Sequence, residues 1–222
     1  MKLFPNSKKA SEFFAKEDPT LARLIAQVGP MKLDLDPAES VFESLSRSII
    51  YQQLHGKAAA TIHSRFVALF PKQVYPLPKQ VRNTSVERLR TAGLSNAKSL
   101  ALIDLADKTE RKLLPERAAT LDMSDSEIVE VLTSVRGIGP WTAEMFLIFT
   151  LARPDVLPIG DFGVRKGFGA VYGKSTPPTP EELSLFGEQW RPYRSIASWY
   201  MWRALELPEF NPPKVRKKKN AK

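Results

Sequence analysis

Two features between Val135 and Phe168 have residue types and spacing suited to chemistry. The first is Gly137-Ile138-Gly139, which opens directly onto the apolar series Trp141-Thr-Ala-Glu-Met-Phe-Leu-Ile-Phe149. Glycines so close together allow a tight hairpin with no Cβ in the way. Their N–H groups, with those of a helix start, can face one phosphate, and the helix dipole favours that negative charge. The second is Asp161, 22 residues beyond Gly139, between Leu157-Pro158-Ile159-Gly160 and Phe162-Gly163-Val164-Arg165-Lys166. A carboxylate placed beneath a deoxyribose ring would stabilise an oxocarbenium-like transition state, or orient and deprotonate an attacking water. Each feature alone has a plainer reading. A Gly-x-Gly between helices is more often an ordinary corner, and an Asp in this setting is most simply an N-cap. Capping and chemistry are compatible, because a capped carboxylate is rigidly placed.

The elements that must position these residues read as helices. Ser124-Asp-Ser-Glu127 fits a capping box, and Ile128, Val129, Val131, Leu132 and Val135 continue as a core-facing helix that Gly137 is expected to end in the left-handed conformation. Pro140 suits the first turn of the next helix. Phe42, Leu45, Ile49 and Ile50 share one helical face, Ile62, Phe66 and Leu69 another, and Leu100, Ile103, Leu105 and Ala106 a third. Only Met31–Leu35, MKLDL, alternates like a short strand. Pro and Gly clusters divide the chain into about ten helices, and Thr176–Pro180 reads as a turn and helix start rather than a linker. The expectation is an all-α fold with no internal repeat.

Composition narrows the classes. The chain has 222 residues, enough for one domain or two small lobes, and 43% are hydrophobic. It has no cysteine, which excludes disulfides, thiolate zinc sites and cysteine-ligated iron–sulfur clusters, and with His55 and His63 as its two histidines a His-rich metal site is not expected. The start, MKLFPNSKKASEFF, lacks a signal-peptide apolar run, and no stretch reaches the roughly 18 apolar residues of a membrane span. A soluble intracellular protein is expected, in cytoplasm or nucleoid, or the nucleus in a eukaryote. The formal charge is +9, and Asn211–Lys222 alone holds six basic residues and no acid. That tail suits a disordered nucleic-acid arm or a solubilising terminus.

The longer string changes the odds. VRGIGPWTAEMFLIFTL followed by DVLPIGDFGVRKGF resembles the helix-hairpin-helix DNA glycosylases, specifically the 3-methyladenine DNA glycosylase II type. Ile49–Phe66, IIYQQLHGKAAATIHSRF, resembles that family's helix–loop–helix that probes the minor groove, and Asp18–Leu33, Leu89–Ala106 and Trp190–Leu205 extend the likeness to residues 18–205. The resemblance implies a two-lobed all-α fold with a cleft between lobes. A central bundle of about 36–136 would face a lobe made of 1–35 and 137–210, with 211–222 as a basic disordered tail.

The resemblance also assigns residues. Asp161 matches the catalytic aspartate, and Gly160 stands where the family often has a second Asp. Gly137, Ile138, Gly139 and Thr142 match the phosphate-gripping hairpin, whose main-chain carbonyls at Thr133, Val135 and Ile138 would hold a monovalent Na⁺ or K⁺; no other cofactor is implied. Trp141 stands where bifunctional relatives place a Schiff-base lysine, which implies water as the nucleophile. Trp141, Met145, Phe162 and Trp202 would line the pocket for a flipped base, with Met145 where relatives often have an aromatic. Aromatic faces favour a cationic alkylated purine by about 0.5–2 kcal/mol, and a pre-charged leaving group needs no general acid. Flipping leaves a gap in the stack. Gln52, Gln53, Leu54 and His55 are the candidates to fill it, with Gln53 or Leu54 intercalating and His55 touching the groove or a phosphate. Lys57, Arg165 and Lys166 would contact phosphates. The implied activity is hydrolysis of the N-glycosidic bond of 3-methyladenine- and 7-methylguanine-type bases in duplex DNA by a monomer. It is the first step of base excision repair and leaves an abasic site in an uncut strand. The alternatives are a glycosylase for deaminated or oxidised bases and a catalytically silent lesion binder.

Overall fold

A computed structural model of the chain describes residues 2–33 and 35–210; the basic tail Asn211–Lys222 lies outside the described residues. The described residues form the helices α1 (Ser7–Glu17), α2 (Pro19–Val28), α3 (Val41–Tyr51), α4 (Gly56–Ala68), α5 (Pro78–Arg82), α6 (Val86–Arg90), α7 (Asn96–Glu110), α8 (Asp125–Thr133), α9 (Pro140–Phe149), α10 (Phe162–Val171), α11 (Pro180–Gly187) and α12 (Arg194–Ala204). The only strands among them are β1 (Lys2–Leu3) and β2 (Lys32–Leu33), which pair antiparallel. The fold is therefore all-α, and of the alternating segment Met31–Leu35 the described strand residues are Lys32 and Leu33. No helix among the described residues is long and apolar enough to cross a membrane.

The described residues divide into two compact units, 35–152 and the pair of segments 2–33 and 153–210. This division falls after Ala152, whereas the boundary expected from the sequence lies at Gly137. Helix α9 buries Ala143, Phe146, Leu147 and Ile148 and packs on α8 and α3. The hairpin therefore stays with the helices on both its sides.

In the unit 35–152, α3 lies against α4, α7 and α9 and buries Phe42, Leu45, Ile49 and Ile50, as its periodicity predicts. Ser44 Oγ donates to Asp36 Oδ2 at 2.7 Å and lies 2.9 Å from Thr150 Oγ1, tying the start of α3 to the end of α9. Arg117 closes the same corner on the Ala38 and Thr150 carbonyls. Two helical faces differ from expectation. Helix α7 packs on α3 on one side and α5 on another. Its buried residues are therefore Ala101, Leu102, Leu105 and Ala106, with Leu100 and Ile103 half-exposed. Helix α4 has its main contact with α3, so Phe66 is buried while Ile62 and Leu69 are intermediate.

In the other unit, α10 and α2 pack on α12, and Trp190, Tyr200, Phe14 and Met31 are fully buried. Asp18 is buried at its centre. One oxygen caps α2 on the Leu21 N–H at 3.0 Å; the other accepts from Trp190 Nε1 at 2.9 Å and from the Tyr172 hydroxyl. Burial, then the hydrogen bond to Asp18 and the Asp18 charge, push the Tyr172 phenol far above its ordinary pKa. Gly167 permits the α10–α12 crossing, since a Cβ there would meet the Met201 carbonyl.

Candidate functional site

Within the unit that contains it, Asp161 is delivered by a pinned approach. Asp155 accepts from Arg194 Nε at 2.8 Å and Arg191 at 2.7 Å, and Ser195 Oγ bonds the Val156 N–H and the Arg153 carbonyl. The N-terminus of α12 thus fastens the segment that leads to the carboxylate. The Asp161 N–H closes a turn on the Pro158 carbonyl at 2.9 Å. The side chain then caps α10, as expected, with Oδ1 accepting from the Val164 N–H at 2.8 Å.

Trp202 Nε1 donates to the same Oδ1 at 2.9 Å. Two donors on one oxygen fix the plane of the carboxylate. Gly163 makes the arrangement fit: a Cβ there would lie 2.9 Å from Trp202 Cδ1 and 3.0 Å from Asp161 Oδ1. Phe162, next to the carboxylate in sequence, is 61% exposed, which is a large loss of burial for an aromatic unless something else covers it. Arg165 stands over its ring at 5.9 Å. Lys166 is half-buried on α10. This unit therefore brings together Asp161, Trp202, Phe162 and Arg165.

The unit 35–152 holds the hairpin. The capping box Ser124–Glu127 starts α8 as predicted, but the helix ends at Thr133 with Ser134 as its C-cap, earlier than expected. A turn then follows in which Ile138 N–H bonds the Val135 carbonyl at 3.0 Å, and Gly137 takes φ 79° inside that turn rather than at the helix end. Ile138 is buried and anchors the tip. The Arg136 N–H donates to Asp104 Oδ2 at 2.7 Å, and Lys108 Nζ holds both Asp104 oxygens. Burial raises the Asp104 pKa, but the Arg136 N–H and the Lys108 ammonium outweigh it and hold the carboxyl below its usual value. Gly139 is the N-cap of α9, with Pro140 in the first turn and no side-chain cap. Its φ is −99° and an added Cβ would meet nothing within 4 Å, so neither strain nor internal packing demands a glycine there.

The loop after α3 runs beside the hairpin. Gln52 Nε2 donates to the Gly137 carbonyl at 2.9 Å and lies 3.5 Å from Thr142 Oγ1. Gln53 is exposed with φ 56°, and Leu54 is 39% exposed. His55 caps α4, its Nδ1 accepting from the Lys57 N–H at 3.4 Å. A hollow of about 670 Å³ lies between hairpin and loop, and Trp141, Met145, Thr142, Gly137, Gln52 and Gln53 line it, all of them expected site residues. Trp141 is 47% exposed there.

Three further residues escaped the sequence reading. Ser48 and Tyr51 also line the hollow, and Tyr51 lies under the Arg47 guanidinium at 5.4 Å. Their signal was an aromatic and a small residue a turn apart, just before Gln52-Gln53. Lys98 bonds the carbonyls of Ile50 and Gln52, and nothing in its own segment pointed there.

DNA-3-methyladenine glycosylase 1 of Schizosaccharomyces pombe is 33% identical over 96% of this chain and 93% of its own length. Among solved structures, the S. pombe 3-methyladenine DNA glycosylase in complex with abasic DNA superposes with a TM-score of 0.77 at 32% identity, covering 90% of this chain and 98% of that one. A DNA-3-methyladenine glycosidase from Bacillus halodurans superposes with a TM-score of 0.80 at 33% identity, covering 92% of each chain. Residues 46–192, which include the loop after α3, the hairpin and Asp161, match the HhH-GPD superfamily of base excision DNA repair proteins, and the chain belongs to that family.

Proposed function

We propose that this chain is a monofunctional DNA glycosylase that hydrolyses the N-glycosidic bond of alkylated purines in duplex DNA. The observation that carries the reading is the Asp161 carboxylate, fixed by the Val164 N–H and the Trp202 indole beside an exposed Phe162, in a chain that resembles 3-methyladenine DNA glycosylases over nearly its whole length.

The chemistry follows from charge. In a 3- or 7-methylated purine the base already carries a positive charge. As the C1′–N bond breaks, its electron pair goes to the base, which leaves neutral, and positive charge moves to the sugar ring. Asp161 stabilises that charge, and water adds to C1′ and gives its proton to the carboxylate or to solvent. No lysine stands at the Trp141 position to attack C1′, so the product is an abasic site in an intact strand. Trp141 and Met145 on the unit 35–152, and Phe162 and Trp202 beside Asp161 on the other, are the side chains offered to the flipped base. The hairpin at Gly137, Ile138 and Gly139 with Thr142, and the cations Lys57, Arg165 and Lys166, hold the backbone.

The same reading includes Na⁺ or K⁺ on the carbonyls of Thr133, Val135 and Ile138. Val135 O accepts one turn hydrogen bond and has a second lone pair for a cation. A monomer acting wherever the cell keeps its DNA completes the proposal.

The test is base release from methylated duplex DNA, wild type beside Asp161→Asn, with products separated by chromatography. Free methylpurine and unbroken abasic DNA from wild type alone are expected. Tight binding with no release from wild type would make the chain a lesion-binding protein instead.

A further inference from the structure

The loop after α3 is held by two side chains that the reaction above does not use. Lys98, in the first turn of α7, donates from Nζ to the Ile50 carbonyl at 2.7 Å and to the Gln52 carbonyl at 2.8 Å. The last carbonyls of a helix have no partner within it, and a cation there also meets the negative end of the dipole. Burial holds the Lys98 ammonium below the ordinary lysine pKa. The Gln52 side chain reaches the other way, to the Gly137 carbonyl and Thr142. Gln52 is thus fastened to α7 through its main chain and to the hairpin through its amide. Next to it, Gln53 stands in the left-handed region at φ 56°. A non-glycine residue keeps that conformation only where its surroundings over-determine it.

The geometry points to Lys98 and Gln52 as positioning residues that lock the Gln53–His55 loop at a fixed offset from the Gly137–Gly139 hairpin. A hairpin seated on a backbone phosphate would then carry the loop into the base stack. A slack loop would still let the hairpin find phosphate, but it would not hold a base out of the duplex. The assignment rests on the glycosylase reading above and gives that reading its flipping device.

The experiment compares Lys98→Met, which keeps length but removes the donors, with Lys98→Arg, which keeps them. Each is given 7-methylguanine opposite cytosine and the same lesion opposite an abasic spacer, where unpairing costs little. Lys98→Met should release the paired base roughly 10–100-fold more slowly in single turnover, the loss expected when charge-assisted hydrogen bonds go. On the unpaired lesion it should stay within about twofold of wild type, and Lys98→Arg should recover most of the paired rate. A 2-aminopurine beside the lesion should brighten with wild type and Lys98→Arg but not with Lys98→Met. Equal losses on both substrates, or no loss on either, would overturn the assignment. If Lys98→Met does not fold by circular dichroism, Lys98→Gln, which removes the charge and shortens the reach to the two carbonyls, takes its place in the same comparison. If wild type releases no base from either substrate, the glycosylase reading fails, and the 2-aminopurine signal on the lesion duplex still decides the brace.

Discussion

The indole of Trp202 donates to Asp161 Oδ1 at 2.9 Å, on the oxygen that also accepts the α10 cap bond from Val164. An N-cap alone would tether the carboxylate at one point and leave it free to swing. The second donor, from a different helix, sets its plane. Trp202→Phe keeps the aromatic face and removes the N–H. Loss of a hydrogen bond to a charged group is worth about 1.5–3 kcal/mol. The single-turnover excision rate should therefore fall roughly 10–100-fold, with DNA affinity little changed. A rate within twofold of wild type would show that the indole serves only as a pocket wall.

Gly163 offers a sharper test of the same geometry. A methyl at this position would press on both Trp202 and Asp161, whereas one at Gly160, three residues earlier, would meet nothing within 4 Å. Gly163→Ala should lower excision by about tenfold or more, the response expected when a reacting group is displaced by a fraction of an ångström. Gly160→Ala should be silent in the same assay. Similar rates for the two variants would mean that the α10–α12 contact yields without disturbing the carboxylate.

How much of this was legible depended on the range of the interaction. Asp161 as an N-cap, the Ser124–Glu127 box and Pro140 at a helix start are local patterns, settled within three or four residues, and they read correctly. The buried face of α3 followed from periodicity at Phe42, Leu45, Ile49 and Ile50, whereas on α8 the expected face is buried only at Ile128 and Leu132, with Val129 and Val131 intermediate. Helix α7 did not, because it packs on two sides and its buried face is set by α3 and α5 together. The unit boundary after Ala152 was equally hidden, since nothing local says that α9 packs on α8 and α3. Lys98 lies 46 and 48 residues from the carbonyls it holds, and in the sequence it is one lysine among many. Trp202 was placed at the site by family resemblance, but its hydrogen bond to Asp161 spans 41 residues and only the structure supplies it.

The two hairpin glycines should separate stability from binding. Gly137 sits at φ 79°, where an L side chain is strained whatever the space. Gly137→Ala should destabilise the protein by about 1–2 kcal/mol, lowering Tm by about 2–8 °C for a chain of this size. Gly139 has an ordinary φ and open space beyond its Cα. Gly139→Ala should leave Tm within about a degree but place a methyl where a phosphate must approach the N–H groups, weakening duplex binding about tenfold. Thermal melts beside fluorescence-anisotropy titrations measure both. Normal binding by Gly139→Ala would remove the hairpin from the DNA contact.

Asp104 braces the hairpin from below, and its effect should depend on pH in a defined direction. Its carboxyl is held below the usual carboxylate pKa when the protein is folded. The unfolded chain therefore takes up the proton first as pH falls. The stability that Asp104 contributes is complete above the unfolded pKa of about 4 and is lost as pH drops through the lower folded value. Asp104→Asn removes the negative charge that receives the Arg136 N–H and the Lys108 ammonium. At pH 7 the variant should be less stable by about 1–3 kcal/mol. As pH falls below the unfolded pKa of about 4 the difference from wild type should shrink, because the unfolded wild-type chain takes up the Asp104 proton first. Urea denaturation at pH 7 and below pH 3 measures both differences. A gap that stays constant or widens on acidification would mean that the brace acts through shape rather than charge, and the Arg136 N–H would then be held equally well by a neutral amide.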